Sequence, residues 1–228
     1  MKTVQLQDKI SADEYDNEDK IIIFDIDDTL YKENHDLVNH RRMAAYNLFK
    51  EEIDISFDEF CQISREYTEE YGTNYKGFLV NNNISKDLIN KIDDICGDLK
   101  PFFTDTSESV KMLEKIPVRV FCFTNCNKKQ SEYMLATLGL DKYVDTLFVP
   151  SYKPDSEIIC KPMLEAFNIV NKIVNKKGNK KILFFDDNIK NVDGAKKAGW
   201  IGIHVKDSDK ISEIVNKEMK EHFNMELN

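Results

Sequence analysis

Three stretches of this 228-residue chain set oxygen-bearing side chains directly after short apolar runs. In Ile21 to Leu30, Asp25, Asp27 and Asp28 stand where an apolar run ends. Side chains alternate along an extended backbone, so Asp25 and Asp27 project together while Asp28 points elsewhere. Two aligned carboxylates repel each other unless a cation or a shared proton relieves them. In Phe121 to Asn125, the Thr124 hydroxyl and the Asn125 amide adjoin backbone N–H groups that open a helix, a geometry suited to a phosphate oxygen. Thr and Asn equally suit a plain helix N-cap, so alone this stretch says little. In Ile182 to Asn188, Asp186 and Asp187 again follow a buried run. Hard oxygens from two such ends, completed by water and substrate phosphate, are what Mg²⁺ accepts, with either Asp186 or Asp187 as ligand. Lys161, in Ile159 to Pro162, can bring an ammonium to the cluster. Lys153-Pro154 looks alike locally, but the helix after Lys161 leads straight to the Asp186 run, which favours Lys161.

The elements that must position these groups are legible from hydrophobic pattern. Ile21 to Phe24, Val118 to Phe123, Leu147 to Val149, Ile182 to Phe185 and Ile201 to Val205 are short apolar runs without clean alternation, each followed by a polar turn and a helical pattern. Strands buried on both faces of a parallel sheet read this way. The fold class is therefore α/β, and ligands of such sheets bind beyond the carboxyl ends of the strands. Helices are predicted over Lys128 to Leu138, stopped by Gly139; from Pro162 through Val174; over Asp193 to Lys197, closed by Gly199; and as a final amphipathic segment over about 206–228. Residues 1–19 read as a flexible tail. From Asp36 to Phe103 only helical periodicity occurs, which predicts an all-helical insert at 36–103 between core segments 20–35 and 104–228.

Composition narrows the function classes. With 41% hydrophobic and 32% charged residues the chain folds around a core of its own. A net charge of −9 disfavours nucleic-acid polymers and anionic lipid surfaces as partners. Cys61, Cys96, Cys122, Cys126 and Cys160 form no paired spacing, so neither a disulfide framework nor a zinc site is expected. The polar, acidic N-terminal stretch predicts no secretory signal, and no apolar run approaches the ~20 residues of a membrane span. A cytoplasmic or also nuclear location is expected by default.

Taken together, D-x-D-x-T, T-N, K-P and D-D, each at a strand or helix boundary, resemble the haloacid dehalogenase (HAD) superfamily of aspartate-dependent phosphatases. The form Ile26-Asp-Asp-Thr-Leu30, with Tyr71-Gly72 and Gly77 in the insert and Ile159 to Pro162 later, is similar to the pyrimidine 5'-nucleotidase branch of fungi and plants. The resemblance implies a doubly wound, Rossmann-like parallel core with a helical cap inserted after the first core strand. It implies Asp25 as a nucleophile that forms an aspartyl-phosphate, and Asp27 as the acid and base for leaving group and water. Thr124 and Asn125 would hold phosphoryl oxygens, and Lys161 would neutralise charge on Asp25 and phosphate. Mg²⁺ would be held by Asp25, the Asp27 carbonyl, and Asp187 or Asp186.

The leaving group would be read by the cap. There, Tyr71 to Gly77 forms an aromatic and cationic loop in which Tyr71 and Lys76 are substrate-binding candidates. A pyrimidine nucleoside 5'-monophosphate is the expected substrate. The stretch Phe78 to Ile84 departs from the branch pattern, in which a histidine is often present. Sugar-phosphate or phosphoglycolate hydrolysis and phosphomutase chemistry share every core residue. A dehalogenase has no need of an acid at Asp27, and receiver domains are shorter and lack a large cap. A catalytically silent nucleotide-binding or signalling protein is the alternative outside the enzymes.

Overall fold

The structure, a computed structural model, describes residues 1–8, 18–95, 98–103, 107–153 and 157–227. Expectations that touch 9–17, Cys96, 104–106 and Pro154 lie outside the described residues.

Six strands form one sheet: β1 (Lys2–Gln5), β2 (Lys20–Phe24), β3 (Arg119–Phe123), β4 (Thr146–Val149), β5 (Lys181–Asp186) and β6 (Ile201–His204). Their order is β1-β4-β3-β2-β5-β6, and every neighbouring pair is parallel. From β2 the chain proceeds outward through β3 and β4, then returns to place β5 and β6 on the other side of β2. The strand order thus reverses at β2, where such sheets open a crevice for ligands.

Both faces of the sheet are apolar, which is why the strands read as unbroken runs. Ile22, Phe24, Val120, Cys122, Leu183 and Phe185 face one way, and Ile21, Ile23, Phe121, Phe123, Ile182 and Phe184 face the other. The first face is covered by α5 (Ser107–Lys115), α6 (Lys128–Thr137) and α9 (Ile211–Phe223), through residues such as Met112, Leu135 and Val215. The second is covered by α7 (Leu164–Val174) and α8 (Ile189–Lys197), through Phe167, Val170 and Ala195. Helices α6 and α7 run close to the predicted spans, α9 is shorter than the predicted 206–228, and α5 has no predicted counterpart. However, α8 starts earlier than expected because Asn188 caps it by accepting from the Lys190 N–H, and its polar first turn hides that start in the sequence.

Between β2 and β3 lie α1 (His35–Phe49), α2 (Phe57–Tyr71), α3 (Asn74–Asn81) and α4 (Lys86–Ile92), a 3₁₀ turn at Lys100–Phe102, and α5. No strand occurs there among the described residues. Helices α1 to α4 bury a cluster of their own in which Phe78 stacks on Phe49 at 4.7 Å and on Phe60 at 4.9 Å. Tyr152 and Ile158, from the chain after β4, complete that cluster and join it to the sheet. The capping box of Ser56 and Glu59 opens α2. The predicted loop of Tyr71 to Gly77 is a tight turn between two helices: Gly72 ends α2 and α3 begins at Asn74.

One expectation is corrected. Residues 1–19 read as a flexible tail, yet Lys2–Gln5 form the edge strand β1 against β4. The Lys2 N–H donates to the Asp145 carbonyl at 2.8 Å, and the Leu6 N–H to the Val149 carbonyl at 3.0 Å. Val4 and Leu6 bury themselves on the second face, but two apolar residues separated by a Gln give too short a pattern to signal a strand. Truncating Leu6 to Ala is expected to cost about 2 to 3 kcal/mol of unfolding free energy in a urea titration. A loss within about 0.5 kcal/mol, the usual range for surface positions, would instead place Leu6 in a tail.

Candidate active site

The register of the sheet brings the motif residues together. Phe24 pairs with both Cys122 and Phe185, so Asp25 and Asp186 each stand one step beyond a matched pair. The ladder continues past the strand ends: the Asp25 N–H donates to the Phe185 carbonyl at 2.8 Å and the Thr124 N–H to the Phe148 carbonyl at 3.1 Å. Asp25 and Asp186 share the phase of Ile23 and Phe184, so their side chains rise on one face.

Lys161 crosses that face. The residue is 1% exposed, and its Nζ donates to Asp25 Oδ1 at 2.7 Å and to Asp186 Oδ2 at 2.6 Å and lies over the rings of Phe123 and Phe184. Its partners offset burial and hold the ammonium above its ordinary range. Asp186 also accepts from the Asn188 N–H at 2.8 Å and from Asn191 Nδ2 at 3.0 and 3.1 Å. Asp187 is half-buried and lines an open cavity of about 500 Å³ that also receives Asp25, Asp27, Thr124 and Lys161.

Asp27 is held from the helical insert. Arg41, on α1, donates through Nη1 to Asp27 Oδ1 at 2.9 Å and to Glu33 Oε1, and Tyr31 donates its hydroxyl to the same Asp27 oxygen. Burial alone would raise the Asp27 carboxyl, but the Arg41 charge and the Tyr31 bond outweigh it and hold the group below its ordinary value. Burial, opposed by Arg41 and reinforced by Asp27, pushes Glu33 up to about 7. Burial likewise pushes the Asp25 carboxyl well above the ordinary range, against the pull of Lys161 and with Asp186, Asp27 and Asp187 adding to it. Tyr31, Glu33 and Arg41 carry no strand-end signal. Only the i, i+4 spacing of Asp27 and Tyr31 is local, and Arg41 arrives through tertiary packing.

Asn125 is placed differently from expectation. Its Nδ2 donates to the Gly72 carbonyl at 2.9 Å and the Lys161 carbonyl at 2.7 Å, and its Oδ1 accepts from the Lys161 N–H at 2.9 Å. Although it lines the cavity, the amide fastens the α2–α3 turn to the backbone of Lys161 and has no donor left for phosphate. Gly72 has φ +85°, and a Cβ there would meet the Lys161 carbonyl oxygen at 1.9 Å, so only glycine permits this approach. Buried Thr124 keeps its hydroxyl at the cavity, where Oγ1 accepts from the Cys126 N–H at 3.1 Å.

Tyr71 and Lys76 are corrected as site candidates, because neither is among the residues lining the cavity. The hydroxyl of Tyr71 accepts from Asn81 Nδ2 at 3.2 Å, and Lys76 Nζ approaches Met163 Sδ at 3.0 Å. The wall near them is made instead by Thr73, Asn74 and Tyr75 at the start of α3.

The donor set fits a hard divalent cation. One carboxylate oxygen each from Asp25, Asp186 and Asp187 lies within 4.8 Å of the others, and Asp25 and Asp187 face the cavity. Burial, with Asp186 adding to it and Lys161 opposing it, pushes Asp187 up to about 6. At Asp187 and Glu33 the metal-free native state therefore binds more protons than the unfolded chain between the ordinary carboxylate values near 4 and the shifted values near 6 and 7. These groups lower stability progressively as pH rises through that window. Urea midpoints taken with EDTA and with Mg²⁺ should differ more at pH 7.5 than at pH 5, because bound cation replaces those protons. An equal difference at both pH values would mean that the cluster does not take the ion.

Phosphate metabolism protein 8 of Saccharomyces cerevisiae (strain ATCC 204508 / S288c) is 29% identical to the chain over 191 residues, 79% of this chain. The chain spans 59% of the length of that relative. A HAD family enzyme of Bacteroides thetaiotaomicron superposes with TM-score 0.52 at 15% identity, over 86% of this chain and 98% of that one. A haloacid dehalogenase-like family hydrolase of Xanthomonas campestris superposes with TM-score 0.51 at 14% identity, over 89% of this chain and 93% of that one. At such identities these two likenesses speak to the fold. Residues 20–199 match the family described as haloacid dehalogenase-like hydrolase, a span that contains every strand-end acid, Lys161 and the helical insert, and the chain belongs to that family.

Proposed function

We propose that the protein is a Mg²⁺-dependent phosphomonoester hydrolase that works through an aspartyl-phosphate on Asp25, with a pyrimidine nucleoside 5'-monophosphate as substrate. The observation that carries the reading is the state of Asp25: one oxygen is fixed by Lys161 at 2.7 Å and the carboxylate opens onto the cavity. A carboxylate held this way is a preorganised nucleophile.

Asp25 Oδ2 attacks phosphorus in line, the bond from phosphorus to the leaving oxygen breaks, and Asp27 delivers a proton to that oxygen. Asp27 then takes a proton from water, whose oxygen attacks the same phosphorus and breaks the bond to Asp25, releasing inorganic phosphate. Arg41 and Tyr31 favour the anionic form of Asp27 in the free protein, and an incoming phosphate raises its proton affinity by adding negative charge. Lys161 and Thr124 offer an ammonium and a hydroxyl to the phosphoryl oxygens. Mg²⁺, held by Asp25, Asp187 and the Asp27 carbonyl, would neutralise charge on the transferring group. Asp187 suits this better than Asp186, whose oxygens are occupied by Lys161, Asn188 and Asn191. In this reading residues 36–103 act as the cap, and a cavity of about 500 Å³ has room for a nucleoside beside the phosphate, with Tyr75 as an aromatic wall.

Phosphate release measured over nucleoside monophosphates, sugar phosphates and phosphoglycolate is expected to be highest with a pyrimidine nucleoside 5'-monophosphate. A sugar phosphate or phosphoglycolate turned over faster would displace the nucleotide reading and leave the hydrolase. Asp25→Asn should lose at least about 10³-fold in turnover with an unchanged circular dichroism spectrum. Retained turnover would remove Asp25 as the nucleophile. With p-nitrophenyl phosphate, whose leaving group needs no proton, Asp27→Asn should accumulate phosphorylated enzyme, visible as a mass gain of one PO₃ unit. Absence of that species would take the base role from Asp27.

A further inference from the structure

The cavity wall opposite the strand ends has a charge pattern that the hydrolysis of a simple monoester does not use. The sequence contains only four arginines, Arg41, Arg42, Arg65 and Arg119, among 32 basic residues, and three of the four line the cavity. Of the far more numerous lysines, only Lys161 does among the described residues. Arginine differs from lysine in its flat fork of donors, which matches the paired oxygens of a carboxylate or a phosphate. Arg41 is committed to Asp27 and Glu33.

Arg42, half-buried on α1, and Arg65, exposed on α2, are not committed. Among the described residues, neither guanidinium has an ion pair or a hydrogen bond to a carboxylate. The natural local partner of Arg65 is Glu69, one helical turn on, but Glu69 turns to Lys190 at 3.6 Å. Glu66 takes the Gln62 amide at 3.1 Å. Thr68, Thr73 and Asn74 add neutral polar groups to the same wall, and Glu69, which also lines it, has its charge met by Lys190. The strand-end side of the cavity repels any anion other than the phosphoryl group held by Lys161 and the cation, so a further negative charge belongs against α1 and α2.

We propose that the leaving group carries a second anionic group, a carboxylate or a further phosphate, held by Arg42 and Arg65. This rests on the phosphomonoesterase reading and narrows its substrate class. Neutral carbonyls of a base also accept from arginine, but a charged acceptor roughly doubles the strength of each bond.

Matched esters test it. Uridine 5'-monophosphate is compared with orotidine 5'-monophosphate, which adds a carboxylate, and with uridine 3',5'-bisphosphate, which adds a phosphate. Loss of the 5'-phosphate is followed by chromatography of the products, in wild type, Arg65→Gln and the double variant R42Q/R65Q. Wild type is expected to favour one anion-bearing ester over uridine 5'-monophosphate by at least about tenfold in kcat/KM. The double variant should bring that ratio to within about twofold, through KM more than kcat. Arg65→Gln, at an exposed position where glutamine keeps helix propensity, should move the ratio the same way by a smaller step. A wild-type ratio near one for both esters, or a preference that survives in the double variant, overturns the second-anion inference while activity on p-nitrophenyl phosphate keeps the hydrolase. No release from any ester, p-nitrophenyl phosphate included, overturns both.

Discussion

The structure depends on one buried ammonium. Lys161 sits between Asp25 and Asp186 at 2.7 and 2.6 Å with almost no exposure, and among the described residues neither carboxylate is reached by a second lysine or an arginine. Taking an ion out of water costs several kcal/mol, and the cost is offset only when partners and remaining hydrogen bonds are in place. Here they are, because Asn188 and Asn191 fill the other sites of Asp186. The ends of β2 and β5 and the chain before α7 are thereby tied to one point. Packing alone would let the three approach, but it would not fix the Asp25 carboxylate to within a fraction of an ångström.

That point is also where the helical insert is fastened. Gly72 meets the Lys161 carbonyl with no room for a side chain, and Asn125 binds both carbonyls at once. Arg41 reaches from α1 to Asp27, and Tyr152 lies in the core of the insert while its hydroxyl meets Thr73 and the Asn125 carbonyl at 3.3 Å. The insert therefore does more than cover the cavity. It sets the charge around Asp27, so whatever displaces α1 also changes the proton affinity of that carboxylate.

The sequence made the sheet legible because strands buried on two faces leave no alternation, only runs, and because acids directly after such runs have few reasons to be there. Asp25, Asp27, Asp186 and Asp187 are legible on that ground, whereas Lys161 is legible from the helix that follows it and Thr124 only in the company of the other motifs. β1 is not legible, since Val4 and Leu6 are too few to form a run. Tyr71 and Lys76 stand outside the cavity lining because 71–77 is not one loop: a left-handed Gly72 ends α2 and a new helix starts two residues later. Asn125 looked like a phosphate ligand because its type fits that role, and nothing local announces two carbonyls arriving from positions 72 and 161. Arg41 follows the same logic. A side chain in mid-helix shows its purpose only after the helix is docked.

Charge explains why such late-arriving groups are basic. The strand ends gather Asp25, Asp27, Asp186 and Asp187, joined by Asp28 and Glu33, around Lys161 and Arg41. Carboxylates outnumber cations there; burial pushes Asp25, Glu33 and Asp187 upward, and the neighbouring carboxylates add to that push. A phosphate dianion brought to this end would meet like charge before it met the nucleophile. Acids on the sheet can attract a divalent cation, but they cannot by themselves admit an anion, so positive charge must enter from the other wall. An acidic chain that spends three of its four arginines on that wall satisfies the requirement with side chains whose fork also selects what lies beyond the phosphate.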